Sequence, residues 1–123
     1  MNLLLLRAYL LLLSFETAVA RGRFNAVYRR VHDRAVRPVS ATSRCLQARD
    51  AINRACVLYF KEVQCLQRSA ALVCLLRDLG IPAQLVIGAQ QLPFRAHAWV
   101  ELNGEVINDS SSSIRLYGVL DRL

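Results

Sequence analysis

Cys65, His97 and Asp109 are residue types that can share the work of covalent catalysis, and all three fall within one stretch of the chain. Cys65 opens an apolar run that ends at Leu79 and is followed by Gly80 and Pro82. A glycine stop with proline just beyond it is a helix exit, so the run predicts a helix with Cys65 in its first turn. Unpaired backbone N–H groups and the helix dipole favour a thiolate there, and the thiolate is the attacking form of cysteine. His97 lies in the alternating segment AHAWVEL. A strand over it puts His97, Trp99 and Glu101 on one face and Ala98, Val100 and Leu102 on the other. That makes the imidazole a base beside an apolar wall. Asp109 would fix its tautomer and stabilise the imidazolium formed when it takes the thiol proton. The chemistry predicted is nucleophilic attack by a cysteine thiolate.

Asn103-Gly104 is a strong hairpin signal, with Glu105 to Asn108 as the returning strand. A plain two-residue turn would pair His97 with Ser110 and put Asp109 on the wrong face. A three-residue turn with Gly104 in a G1 bulge pairs His97 with Asp109 instead, and sets Val106 opposite Val100. The bulged turn, or an equivalent bulge near Asn108, is therefore expected, with Asn108 as the substitute for Asp109. The remaining candidates are poorer. Cys74 lies among leucines of the same helix, Cys45 and Cys56 fall on the apolar stripe of the helix before it, and His32 sits in a basic, exposed HDR stretch.

The elements that must position these residues suggest an α+β class, helices first and an antiparallel sheet after. Leu3 to Thr17 reads as an apolar helix, and a second helix is expected around Phe24 to His32 within the basic stretch Arg21 to Arg37. Pro38 to Ser43 reads as a break with Ser43 as N-cap, and Arg44 to Phe60 as an amphipathic helix. After the Cys65 helix come strands at Ala83 to Gly88 and Ala96 to Leu102, the hairpin return, a serine loop at Ser110 to Ser113, and a last strand within Ile114 to Leu123. A chain of 123 residues fits one domain, here with residues 1–43 as a helical and basic segment and 44–123 as the core that carries the chemistry.

With 54% hydrophobic residues, the chain is not of disordered type. Its formal net charge of +7 comes from scattered arginines, with Lys61 the only lysine and no interleaved aromatic residues. That pattern favours an acidic peptide or protein partner over nucleic acid. No CxxC pair suggests zinc, and no nucleotide motif is present, so no metal or other cofactor is expected. Ala18-Val19-Ala20 imitates a signal-peptidase site, but no basic residue precedes the apolar run, Arg7 interrupts it and Glu16 lies near the cleavage point. The run is also short for a bilayer span. It is expected to bury against the domain or a partner, in a cytoplasmic protein with reduced thiols.

Two segments, CLQRSAALVCLLRDLGIPAQLVIG and FRAHAWVELNGEVIND, closely resemble the transglutaminase-like leader peptidases of lasso-peptide biosynthesis. The resemblance covers Cys65 to Asp109 with order and spacing intact, and extends more weakly to the leucine-rich start. It implies a papain-like or transglutaminase-like fold and cleavage of a ribosomally made precursor between leader and core. Cys65 would be nucleophile, His97 base and then acid, and Asp109 its orienter. It also implies a separate leader-binding protein and a macrolactam cyclase related to asparagine synthetase. Gln64 departs from the pattern, which has a small residue such as threonine before the nucleophile. The Cys65 N–H is one expected oxyanion donor, and the Gln64 side chain or the Lys61 to Gln64 loop the second. Trp99 and Ser69 are assigned to the substrate pocket. A related transglutaminase or amidase using the same triad, and a non-catalytic peptide-binding scaffold, are the competing readings.

Overall fold

The computed structural model describes residues 3–36, 44–91 and 93–123. At its centre is the Cys65 helix, α4 (Cys65–Asp78), in which every residue from Ser69 to Arg77 is buried. A helix that is apolar on all sides has to be enclosed. α1 (Leu3–Ala20), α2 (Phe24–Asp33) and α3 (Cys45–Leu58) enclose it on one side, and a sheet on the other. The sheet comprises β1 (Gln84–Gln90), β2 (Arg95–Leu102), β3 (Glu105–Val106) and β4 (Gly118–Arg122), in the order β3-β2-β1-β4 with every pairing antiparallel. This is the α+β arrangement expected. Gly80 adopts the left-handed φ of 83° that stops α4.

Three polar clusters pin α4 in place. Buried Gln67 donates to the Leu12 carbonyl at 2.9 Å and to Glu16 at 3.2 Å, tying the first turn of α4 to α1. Glu16 also accepts from Tyr59 Oη and pairs with Lys61, which anchors the connection that leads into Cys65. At the other end, Arg77 donates to the carbonyls of Val31, Arg34, Ala83 and Leu123, joining α2, β1 and the end of β4. Asp78 lies at the unfavourable, negative end of the helix dipole, and Arg34 and Arg7 both pair with it.

Some boundaries differ from expectation. α1 runs on to Ala20 instead of ending at Thr17. Its 18 residues are long and apolar enough to cross a membrane by length and composition alone, contrary to the short span expected. Leu4, Ala8, Leu12, Phe15 and Val19 nevertheless belong to the core shared with α4, while Leu3, Leu6, Leu10 and Leu13 are exposed. Ser43 and the break before it lie outside the described residues, and the N-cap position of α3 is Arg44. The serine run contains a four-residue helix, α5 (Ser111–Ile114), whose N-cap Ser110 accepts from the Ser113 N–H at 3.2 Å.

Candidate active site

Cys65 is the first residue of α4, after an N-cap Gln64 in extended conformation that makes no side-chain capping bond. The first turn closes with Arg68 N–H on the Gln64 carbonyl at 3.0 Å. The N–H groups of Cys65, Leu66 and Gln67 therefore have no helical carbonyl to bond. Half-buried, Cys65 lines a cavity of about 150 Å³ together with Phe24 and Tyr28 from α2, Gln64, Leu66, Ile87 and His97. The other cysteines differ in setting. Cys74 is buried, Cys45 and Cys56 pack at the core margin, and burial pushes all three thiols up. All four cysteines are free.

His97 Nε2 is hydrogen-bonded to Asp109 Oδ2, both side chains being about one-fifth exposed. Asp109 Oδ1 accepts from the Ser110 N–H at 2.8 Å. Burial alone would raise the Asp109 pKa. The hydrogen bonds from His97 and Ser110, with the charges of His97 and Arg68, outweigh it and hold the carboxyl below its ordinary value. The rings of Tyr117 and Trp99 flank the imidazole at centroid distances of 5.3 and 5.8 Å. With Nε2 committed to Asp109, Nδ1 is the nitrogen left to exchange a proton. Among the described residues no hydrogen bond joins His97 to Cys65; the two share a cavity and are not in contact through a bond. Such bonds commonly tighten only with substrate present.

Asp109 reaches His97 without the G1 bulge expected at Gly104, through an interruption of the ladder at Asn108, the alternative position. Asn103 and Gly104 have φ of 53° and 81°, and Leu102 pairs with Glu105, which makes a plain two-residue turn without a G1 bulge. The ladder fails two residues later. Ile107 N–H bonds to the Val100 carbonyl at 2.8 Å, but the returning bond from Val100 N–H goes to Asn108 Oδ1 at 2.9 Å. Asn108 Nδ2 in turn donates to Ser69 Oγ at 3.0 Å, and Ser69 Oγ donates to the Ala98 carbonyl at 3.1 Å. The chain thus leaves the sheet at Asn108, and Asp109 is freed from strand alternation.

Asn108 therefore splices the hairpin to α4 and does not contact His97. Ser69, expected to line the substrate pocket, is fully buried in that splice. Trp99 is also absent from the cavity walls. It is 1% exposed, its Nε1–H bonds to Glu101 Oε2 at 2.9 Å, and Gly88 and Tyr117 close over it. Gln64 does line the cavity. His32 is exposed and paired with Asp33, away from Cys65. Sequence reasoning missed Tyr28, Tyr117 and Arg68. Tyr28 lies far from the other site residues in sequence and Tyr117 beyond the serine run that follows Asp109, and only Arg68, one turn on from Cys65, could have been found by helical spacing.

Residues 9–122 match the sequence model of the transglutaminase-like superfamily, from within α1 to the end of β4. The chain belongs to the transglutaminase-like superfamily. It is also similar to the microcin J25-processing protein McjB of Escherichia coli, with 50% identity over 46 residues, which is 37% of this chain and 22% of that protein. No solved structure matches the chain at a significant level. Within this superfamily member, the helix-start cysteine and the histidine on β2 share one cavity, and the carboxylate beyond β3 is bonded to that histidine.

Proposed function

We propose that this protein is a cysteine peptidase of lasso-peptide maturation, removing the leader from a ribosomally made precursor. The observation that carries this reading is the assembly at one site of a helix-start thiol, Cys65, and an imidazole, His97, already bound to a carboxylate, Asp109. Similarity to a protein named for processing microcin J25 supplies the substrate class.

In the proposed reaction, His97 Nδ1 takes the Cys65 proton and the thiolate attacks the carbonyl carbon at the leader–core junction. The oxyanion forms beside the free Cys65 N–H, with Gln64 at hand on the cavity rim. The imidazolium, stabilised by Asp109, gives its proton to the departing amine. His97 then deprotonates the water that hydrolyses the thioester. The reading includes a cytoplasmic setting, a separate leader-binding protein that presents the precursor, and a macrolactam cyclase that takes the released core.

The test is to incubate the chain with a candidate precursor and leader-binding protein and to weigh the products by mass spectrometry. One cut between leader and core is expected from the native chain, and none from Cys65→Ala at unchanged melting temperature. Cleavage by Cys65→Ala at the native rate refutes the assignment. Amide exchange onto an added amine, without hydrolysis, would make the enzyme a transglutaminase instead.

A further inference from the structure

The Cys65 N–H is one donor toward the carbonyl oxygen of a bound acyl group, and an oxyanion developing there needs a second. Tyr28 stands in the wall of the same cavity as Gln64, Cys65 and Leu66 at the start of α4. Among the described residues its hydroxyl has no hydrogen-bond partner. α2, which carries it, is fixed in place: Val27 and Val31 are fully buried, Arg30 bonds to the Ser14 carbonyl at 2.7 Å, and Arg77 holds the Val31 carbonyl. The Tyr28 ring is itself packed against the core. A donor held by the fold costs no reorganisation when charge develops, which is the property that makes an oxyanion hole effective. Gln64 is the competing donor, but its side chain is exposed and, among the described residues, without a hydrogen-bond partner, and it must lose rotamer freedom to serve.

We propose that the Tyr28 hydroxyl is the second oxyanion donor of this site, working with the Cys65 N–H. The assignment rests on the reading of Cys65 as an acyl-transfer nucleophile. Burial and the nearby Cys65 thiolate both raise the phenol's pKa, which keeps it protonated while the thiolate is present. In the step itself, the thiolate forms the carbon–sulfur bond and the carbonyl π pair moves to oxygen. Tyr28 keeps its proton and only donates a hydrogen bond. When the oxyanion collapses, the carbon–nitrogen bond breaks, and the amine leaves with the proton held by His97.

Tyr28→Phe keeps the ring and its packing and removes only the donor. Two reactions of Cys65 in the full chain separate the possibilities: acylation by p-nitrophenyl acetate, which passes through an oxyanion, and alkylation by iodoacetamide, which does not. Acylation is expected to slow by about 10²–10³-fold, with alkylation unchanged within about threefold. Acylation at the native rate would reduce Tyr28 to a cavity wall and overturn the proposal. An equal fall in both rates would place its effect on the thiol and also overturn it, as would acylation lost in Gln64→Ala but kept in Tyr28→Phe. Neither reaction uses a precursor peptide, so native enzyme that acylates normally but cuts no precursor would refute the peptidase reading and leave this one standing.

Discussion

Asn108→Ala tests whether the splice between hairpin and helix is what delivers Asp109. The substitution removes two bonds, from the Val100 N–H at 2.9 Å and to Ser69 Oγ at 3.0 Å. A buried group left without its partner costs about 1–3 kcal/mol. Val100 N–H has a replacement close by, because the Ile107 carbonyl lies opposite it in the register of the two-residue turn. The net loss is therefore expected at about 1–3 kcal/mol for the pair of bonds, or roughly 3–10 °C in melting temperature for a chain of this size. The larger effect is geometric. Once the ladder continues, Asp109 falls opposite Ala98 and turns to the other face of the sheet from His97. Losing the carboxylate that orients a catalytic histidine costs on the order of 10²–10⁴ in kcat. Initial rates of precursor cleavage and urea midpoints for Asn108→Ala, Asp109→Ala and the double variant decide the matter. The double variant is expected to be no slower than the slower single by more than about threefold, since both remove one interaction. Native-rate cleavage by Asn108→Ala, or losses that multiply in the double variant, would refute the reasoning.

Gly88→Ala places a Cβ at 2.6 and 2.7 Å from Trp99 Cη2 and Cζ3 and 3.0 Å from Tyr117 Cβ. With Trp99 fixed by its Glu101 bond, overpacking is expected to cost about 1–3 kcal/mol in urea unfolding. Arg77→Met removes the donor of the Val31, Arg34, Ala83 and Leu123 carbonyls, and a loss of about 3 kcal/mol or more is expected in the same assay. Burial and the Glu16 carboxylate push the Tyr59 phenol from 10.0 up to about 12. The folded chain then holds that proton to higher pH than the unfolded one, so stability is expected to fall between about pH 10 and 12. Tyr59→Phe should lose this slope, as followed by melting temperature against pH.

The sequence carried α4 most clearly, because an uninterrupted apolar run with Gly80 and Pro82 behind it has one economical reading. Asn103-Gly104 also stated its own turn correctly. Bringing Asp109 to His97 asks for a bulge at Gly104 or an equivalent one near Asn108; the turn carries none, and the interruption comes at Asn108, where a side chain takes the place of a ladder carbonyl. The substitution depends on Ser69, distant in sequence, so local pattern could not show it. Alternation places Trp99 on the face of His97, yet Tyr117 from the far end of the chain closes over it and buries it away from the cavity. Ser69 looked available because it lies one turn from Cys65, but its side of α4 meets β2. Tyr28 was hidden in an arginine-rich stretch whose period pointed to a helix and not to what the helix would face.

Trp99 is the single tryptophan of the chain, and it lies fully buried with its ring beside the His97 imidazole. The protein is thereby fitted with an optical gauge at its candidate active site. Imidazolium is a stronger quencher of indole emission than neutral imidazole, so the protonation of His97 should be readable as a dimming of intrinsic fluorescence, with no label attached. The other histidine, His32, is exposed in another part of the fold. Comparing emission against pH in the Cys65→Ala chain with the same chain carrying His97→Gln then separates the imidazole's part of the emission from that of the Glu101 carboxylate bonded to the indole N–H. The same signal, followed in time as precursor is mixed in, would register the proton moving on and off the ring if the proposed acyl transfer takes place.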